Sequence, residues 1–264
     1  MVTQQVQRLE ELFGTPLLIR TSRSVALTPA GEALVGEAAE LLDRLEGIAR
    51  SLHAIADGQS GSVTLGAQGG ALISVVPPAL SRLAAEFPEL RVHVRQLTTR
   101  EQVDGLLSRN LDLALVRNVA PDDRLVLTEL AREPVMAVLP ADNPLAGVRR
   151  LALRRLAAEP LVLWDRSGAP AFHDTLIDAC RAAGFEPDVR HRVRGIDARL
   201  SFVAAGLGIS LEAAGYRDVR RAGVVFRPLR ERIDATVQLA HLARPLTPAA
   251  RRVAAAFLSG AGRL

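Results

Sequence analysis

The sequence contains no lysine, a single cysteine and few aromatic residues. All 33 of its basic residues are arginines, and Phe, Trp and Tyr together make up 3% of the 264 residues. The single cysteine, Cys180, cannot form an internal disulfide or supply a cysteine-based zinc site, and it fits a reducing compartment. No stretch of about 18 consecutive apolar residues occurs, and the first residues do not follow the order of a secretory signal. We therefore expect a cytoplasmic protein that neither spans a membrane nor is exported.

The overall composition is typical of a globular protein. With 48% apolar and 23% charged residues, the chain can bury the core of one large domain or of two medium ones. The net charge is +4, but the 33 basic and 29 acidic residues are spread along the chain without a basic block. Charge alone therefore does not identify nucleic acid as a partner.

A long helix is predicted from Thr28-Pro29, which has the pattern of an N-cap followed by a proline at the first helical position, to about Asp57. Apolar residues recur along it in alternating steps of four and three: Leu34, Ala38, Leu41, Leu45, Ile48, Leu52 and Ile55. This heptad spacing predicts a seam that pairs two copies of the chain. The alternative is an amphipathic helix that lies on its own domain. Glycines at 58 and 61 then predict a hinge and the first domain boundary.

Strand-like and helix-like segments alternate after this hinge. The first run has strands at 62–67, 91–97 and 111–117 and helices at 71–87 and 100–108. The second run has strands at 135–139, 161–164, 189–193, 209–211 and 224–226, helices at 171–183, 197–205 and 213–221, and a closing strand and helix at 235–242 and 247–258. The alternation predicts two α/β lobes, with a ligand cleft at the carboxyl ends of the strands.

No catalytic or metal-binding pattern stands out. The five histidines lack metal-ligand spacing, and neither a nucleophile elbow nor a phosphate-binding loop is present. Gly206 and Gly208 lack the third glycine of a dinucleotide motif. We therefore expect no enzyme, no metal and no cofactor.

Three junctions between predicted strands and helices are candidates for ligand contact. They are Gly69-Gly70, Thr98-Thr99 and Arg117, and the loop that carries Pro170 and Phe172 follows a strand of the second lobe. Glycines let the backbone approach a ligand, threonines offer hydroxyl groups, and an arginine binds a carboxylate. Together they suit a small carboxylate. Each also has a structural alternative: a tight turn, a helix cap, a local ion pair or, for Phe172, a place in the core.

The N-terminal segment has the pattern of a nucleic-acid-binding element. A short helix presents Thr3, Gln4, Gln7 and Arg8 on the face opposite Val6, Leu9 and Phe13, and two short strands, 17–19 and 25–27, flank a tip with Arg20 and Arg23. Side chains of these types contact base edges and phosphates. The candidate DNA-binding residues are Thr3, Gln4, Gln7, Arg20 and Arg23.

Several segments in this order resemble the LysR-type transcriptional regulators. They are 5–20 (QVQRLEELFGTPLLIR), 27–32 (LTPAGE), 80–83 with Phe87-Pro88, 112–117 (DLALVR) and 203–209 (VAAGLGI). The resemblance implies an α/β protein with a partial winged helix-turn-helix at 1–28, a long linker and dimerisation helix at 29–57, and a two-lobed, periplasmic-binding-protein-like (type II) effector domain at 61–264. Lobe I would comprise about 61–132 and 240–264, and lobe II about 133–239. The implied partners are double-stranded DNA, a small organic acid, aromatic acids included, and further copies of the chain in a homodimer or tetramer.

Within that family the chain is similar to regulators that sense muconate and benzoate. The resemblance implies effector contacts at Gly70, Thr99, Arg117, Pro170 and Phe172. Gly70 departs from the pattern because it lacks the usual hydroxyl, which leaves backbone N–H groups in its place. The cleft edge departs as well, since a usual proline is replaced by Ala213, which follows Glu212.

Family members carry about two further helices, some thirty residues, before the position of Met1. We therefore expect an upstream segment that completes the DNA-binding domain; without it, the chain would be a regulator unable to bind DNA specifically. A stand-alone solute-binding protein of the same fold is a second alternative, which a signal peptide would indicate. An enzyme on this architecture is a third, and it would need a catalytic cluster in the cleft.

Overall fold

A computed structural model describes residues 2–20 and 25–260, with the side chains of residues 2 and 3 left out. These residues form two compact units, one ending at Ala56 and one beginning at Asp57. Among the described residues, no helix combines the length and the apolar character that crossing a membrane requires.

Within its described residues, the first unit contains two helices and a two-stranded antiparallel sheet. Its elements are α1 (Val2–Phe13), β1 (Leu18–Arg20), β2 (Val25–Leu27) and α2 (Pro29–Ala56), and β1 pairs with β2 in antiparallel register. The Thr28 hydroxyl accepts a hydrogen bond from the Gly31 N–H (3.0 Å) and donates one to the Pro16 carbonyl (2.8 Å). These bonds cap α2 where the sequence predicts its start.

The second unit is an α/β domain. Its elements are β3 (Ser60–Ala67), α3 (Gly70–Ser74), α4 (Val76–Glu86), β4 (Glu89–Gln96), α5 (Thr99–Leu107), β5 (Leu113–Arg117), β6 (Leu125–Pro140), β7 (Leu161–Leu163), α6 (Pro170–Ala182), β8 (Val189–Arg192), α7 (Ile196–Ala204), β9 (Ser210–Ala213), β10 (Val224–Pro228), β11 (Asp234–Leu242) and α8 (Pro248–Leu258). Strands β5, β3 and β4 lie side by side and run parallel, while β11 is antiparallel to both β5 and β6.

Strand β6 belongs to two cores. Its first half pairs with β11 and places Leu130 in a core with Leu65 and Leu239, and its second half pairs with β10 and β9 and places Leu139 in a core with Leu163. The domain therefore consists of two lobes that share one long strand.

Three predicted elements differ from the observed ones. The helix predicted at 71–87 is two helices that meet at Val75, because Pro77 and Pro78 cannot donate the backbone hydrogen bonds that would continue α3. The segment 213–221 is not a helix: Ala213 completes β9 opposite Val135, and only one 3-10 turn, Ala214–Tyr216, follows. The strand predicted at 135–139 is only the second half of β6.

Candidate functional site

A cavity lies between the two lobes at the carboxyl end of β5. Its cavity volume is about 30 Å³, within about 450 Å³ of empty space that includes open solvent. It is lined by Gln68, Ala71, Thr99, Leu115, Val116, Arg117, Trp164, Ala169, Phe172, Arg199, Glu212, Tyr216 and Val237. Three predicted contact residues, Thr99, Arg117 and Phe172, are therefore brought together at one site.

Arg117 is held in this cavity by an acid of β6. Its Nη2 lies 3.1 Å from Glu133 Oε2, and the two side chains are only 14% and 8% exposed. The other carboxylate oxygen of Glu133 accepts a hydrogen bond from the Ser74 hydroxyl (3.0 Å). The guanidinium carbon also lies 5.5 Å from the ring centroid of Phe172. The Arg117 Nη1 is buried and has no hydrogen-bond partner among the described residues, so one donor of the guanidinium is available to a ligand.

Thr98 and Thr99 have different roles. The Thr98 hydroxyl accepts a hydrogen bond from the Glu101 N–H (3.2 Å), and the Thr98 N–H donates to the Glu101 carboxylate (2.7 Å), which is a capping box for α5. The bond from the Thr98 backbone is the main reason that the pKa of Glu101 is lowered. Thr99 Oγ1 is buried in the cavity without a partner among the residues described.

The glycine pair makes room for side chains from elsewhere in the domain. Gly69 has a φ of +49°, and a Cβ there would collide with the Tyr216 hydroxyl oxygen. A Cβ at Gly70 would lie 3.2 Å from Arg117 Nη2. Burial, and after it the charge of Glu212, raises the pKa of the Tyr216 phenol. Tyr216 therefore stays protonated near neutral pH.

A second ion pair lines the cavity from the other lobe. Arg199 Nε lies 2.6 Å from Glu212 Oε1 and its Nη2 lies 3.1 Å from Oε2, with side-chain exposures of 5% and 1%. The Ser210 hydroxyl donates a further bond to Glu212 (2.8 Å). Burial is the largest single influence and would lower the pKa of Arg199, but the charge and hydrogen bonds of Glu212, together with Tyr216, outweigh it and the pKa is raised.

Two aromatic rings complete the wall. Trp164 and Phe172 are stacked with centroids 5.2 Å apart, and both also belong to the second core. The Trp164 Nε1 is buried without a partner within the described part of the chain. Pro170 is the first residue of α6 and lies beside an adjoining pocket that Arg117 also lines.

A larger and more polar cavity adjoins this one. Its cavity volume is about 380 Å³, and it shares Gln68, Trp164 and Arg199 with the first cavity. Thr98 lies here rather than in the first cavity. The interlobe cleft thus has a narrow inner part and a wider mouth.

Sequence reasoning missed five charged or polar residues of this site, and Trp164 as well: the five are Gln68, Glu133, Arg199, Glu212 and Tyr216. A usable signal existed for two of them. Glu212 interrupts an apolar strand, and Arg199 shares the buried face of α7 with Leu200 and Val203. A charge at such a position requires a buried partner.

No metal centre is present among the described residues, since no group of at least three potential ligands occurs there. Cys180 is buried, and burial raises the pKa of its thiol to about 11. The thiol is therefore protonated at neutral pH and is a poor nucleophile.

The candidate DNA-binding side chains of the first unit face solvent where they are described. Gln4, Gln7 and Arg20 are exposed. The side chain of Thr3 and all of Arg23 lie outside the described residues.

The predicted seam of α2 is exposed within this chain. Leu41, Leu45, Ile48, Leu52 and Ile55 are each 54–64% exposed, whereas Leu34 and Ala38 are half-buried. No described residue of the first unit covers this apolar stripe.

Two family models match the sequence. The LysR substrate binding domain matches residues 56–262, and the bacterial regulatory helix-turn-helix protein, lysR family, matches residues 1–32. The HTH-type transcriptional regulator YnfL of Escherichia coli K12, itself uncharacterized, is 31% identical over 231 residues, covering 87% of this chain and 78% of YnfL. The HTH-type transcriptional regulator TfdS of Cupriavidus pinatubonensis is 30% identical over 264 residues, covering 99% of this chain and 88% of TfdS.

Solved structures share the fold. The crystal structure of CbnR, a LysR family transcriptional regulator, gives a TM-score of 0.85 at 24% identity and covers 97% of this chain and 89% of CbnR. Full-length CbnR complexed with its target DNA gives a TM-score of 0.84 at 23% identity, with coverages of 98% and 88%.

Proposed function

The chain belongs to the LysR family of bacterial transcriptional regulators, and we propose that its effector is a small organic acid bound in the cavity around Arg117. The chain is a DNA-binding regulator of transcription and not an enzyme. Regulators of this family bind DNA and small-molecule effectors and form oligomers. We assign DNA contact to residues 1–28, pairing of protomers to 29–57 and effector sensing to 61–264, and we place the protein in the cytoplasm, where its DNA is.

The observation that carries this proposal is a set of three buried hydrogen-bonding groups at one cavity. Arg117 Nη1, Thr99 Oγ1 and Trp164 Nε1 each lack a partner among the described residues, and all three residues line the same space. Two are donors only, and a hydroxyl donates as well as accepts. Leaving such groups buried and unpaired is unfavourable, so the site favours a ligand rich in acceptor oxygens.

A carboxylate fits these groups better than a neutral acceptor. Its two oxygens can accept several hydrogen bonds, and a bond from the charged Arg117 is stronger than one between neutral groups. Arg117 keeps its position because Glu133 binds its Nη2. The stacked rings of Trp164 and Phe172 offer an apolar surface to the rest of the acid.

Binding between lobes can regulate DNA binding if the acid prefers one arrangement of the domain. Arg117 and Thr99 come from one lobe, whereas Trp164 and Phe172 come from the other. An acid that bridges both sides binds more tightly to the arrangement that brings them together. This difference in affinity is the free energy available for regulation.

Isothermal titration with a panel of monocarboxylates, benzoate and hexanoate among them, tests the proposal. Replacing Arg117 and Glu133 together by Gln removes both partners of the ion pair and leaves no uncompensated buried charge. The loss of the charge-assisted bond should raise the Kd of the bound acid about tenfold to hundredfold. The matched control replaces Arg132 and Glu129, an exposed ion pair on the same strand (2.7 Å). Equal Kd values in both double variants would contradict the proposal.

A further inference from the structure

The inner cavity contains two arginines, but only one of them is available to a ligand. Arg117 approaches from the end of β5 and Arg199 from α7 of the other lobe, and both line the same space. Two arginines on different walls would suit a ligand with two carboxylates. Whether the ligand carries one carboxylate or two therefore depends on the partners that each arginine already has within the protein.

Each guanidinium nitrogen of Arg199 has a partner within the protein. Two of its nitrogens bind both carboxylate oxygens of Glu212, at 2.6 and 3.1 Å, and its Nη1 lies 3.5 Å from the Val193 carbonyl oxygen. Its guanidinium carbon also lies 5.2 Å from the ring centroid of Trp164. The ion pair therefore adds no net charge to the cavity.

Glu212 also opposes a second ligand carboxylate directly. It lines the cavity, its side chain is 1% exposed, and the Ser210 hydroxyl holds it in place at 2.8 Å. A carboxylate near Arg199 would meet the like charge of Glu212 and would have to break a buried bidentate pair. Both effects disfavour it strongly where little water is present to screen charge.

Arg117 also forms a buried ion pair, with Glu133, but only one of its nitrogens takes part in that pair and Glu133 does not line the cavity. Glu133 binds only its Nη2, and its Nη1 has no partner among the residues that the structure describes. Thr99 and Trp164 supply the other uncommitted groups around the same cavity. The site thus offers uncommitted hydrogen-bonding groups for one carboxylate.

We infer that the effector is a monocarboxylate and that Glu212 is the residue that excludes dicarboxylates, because it occupies and neutralises Arg199. The inference rests on the proposed function and limits the effector to organic acids with a single carboxylate. Glu212 is then a specificity-determining residue that need not touch the acid.

Matched pairs of acids on one skeleton test this inference: benzoate with terephthalate, and hexanoate with adipate. Wild-type protein should bind the monocarboxylate of a pair at least about tenfold more tightly than the dicarboxylate. In Glu212→Gln, Arg199 keeps its charge and loses its anionic partner. The Kd of the dicarboxylate should then fall at least about tenfold relative to the Kd of the monocarboxylate.

Two further variants control for the effect of the substitution itself. Glu186→Gln removes the acid of an exposed pair with the same two-bond geometry, to Arg181 at 2.8 and 2.9 Å, and should leave the ratio of the two Kd values unchanged. The double variant Arg199→Leu/Glu212→Leu keeps the cavity neutral and avoids a lone buried charge. This double variant should still bind the monocarboxylate, and its affinity for the dicarboxylate should not exceed that of the wild type.

The outcomes separate this inference from the proposed function. If wild type binds no monocarboxylate, the proposed function fails and the inference with it. If wild type binds monocarboxylates but Glu212→Gln leaves the ratio unchanged, or if wild type binds both acids of a pair equally well, the inference alone is wrong. A gain for dicarboxylates in the double Leu variant would also overturn it, since that gain could not come from the charge of Arg199.

Discussion

The hydroxyl of Tyr216 occupies the space in which a side chain at Gly69 would begin. A Cβ on Gly69 would collide with the hydroxyl oxygen and lie 2.5 Å from Cζ. Tyr216 ends the 3-10 turn after β9, and Gly69 precedes α3. The contact therefore joins two segments about 150 residues apart at the edge of the cavity.

Replacing Gly69 by Ala should lower the free energy of unfolding by about 2–4 kcal/mol, because the new Cβ meets the Tyr216 ring and the backbone φ is positive. Urea unfolding measures the change. Gly147→Ala is the control, since a Cβ there has nothing within 4 Å among the described residues. If Tyr216 is the cause, Gly69→Ala should lower the free energy of unfolding by less in a Tyr216→Ala background than in wild type. Equal costs in the two backgrounds would contradict this explanation.

The neighbouring residues Thr98 and Thr99 should respond in opposite ways to substitution. Thr98→Ala removes the cap of α5 and should cost about 1 kcal/mol of unfolding free energy, with the Kd of the acid changed by less than about twofold. Thr99→Val removes a hydroxyl in the cavity and should raise that Kd about threefold to tenfold. Titration of benzoate and urea unfolding of both variants provide the measurements. A larger effect of Thr98→Ala on binding would refute the division of roles.

The apolar stripe of α2 predicts pairing of two chains. Leu45 is 64% exposed in this chain and lies in the middle of the stripe. Leu45→Glu would place a charge inside a paired seam, and we expect a dimer to dissociate into protomers at micromolar concentration. Light scattering measures the mass. Arg50→Gln changes the charge by the same amount on the opposite side of the helix and should leave the dimer intact. A wild-type protomer of single-chain mass would contradict the seam.

The buried His173 should lower the free energy of unfolding in mild acid. Burial lowers the pKa of its imidazole below the ordinary value of 6.5, although Asp174 partly opposes this. The unfolded chain therefore binds more protons than the folded one just below pH 6.5, and the folded state loses stability as the pH falls through this range. His173→Gln should flatten the dependence of the unfolding free energy between about pH 6.5 and 5.5, whereas His93→Gln, at an exposed position, should not. The same slope in all three proteins would exclude His173 as the cause.

Features with a local signal could be predicted from the sequence. Thr28-Pro29 marks the start of α2 because capping depends on a few adjacent residues. The alternation of strands and helices between 62 and 117 places Arg117 at the end of β5, as observed. Arg117 and Thr99 then meet because the carboxyl ends of β4 and β5 lie at one edge of the same sheet. Phe172 follows β7, which belongs to a separate sheet in the other lobe, so this rule does not account for its place.

Features that depend on distant pairing could not be predicted. Glu133 lies in a half of β6 that gives no strand signal of its own, and it reaches Arg117 through the shared partner β11. Tyr216 follows β9 in a single turn, and nothing in the surrounding sequence indicates its contact with Gly69. Glu212 could be noticed as an acid in an apolar strand, but its partner Arg199 comes from a separate helix.

A crystal structure of the protein with a bound monocarboxylate tests the central claim most directly. The account predicts the carboxylate within hydrogen-bond distance of Arg117 Nη1, with the Thr99 hydroxyl and the Trp164 Nε1 also donating to it, and with the Arg199–Glu212 pair intact. A carboxylate bound to Arg199, or one found only in the wider mouth beside Thr98, would contradict it.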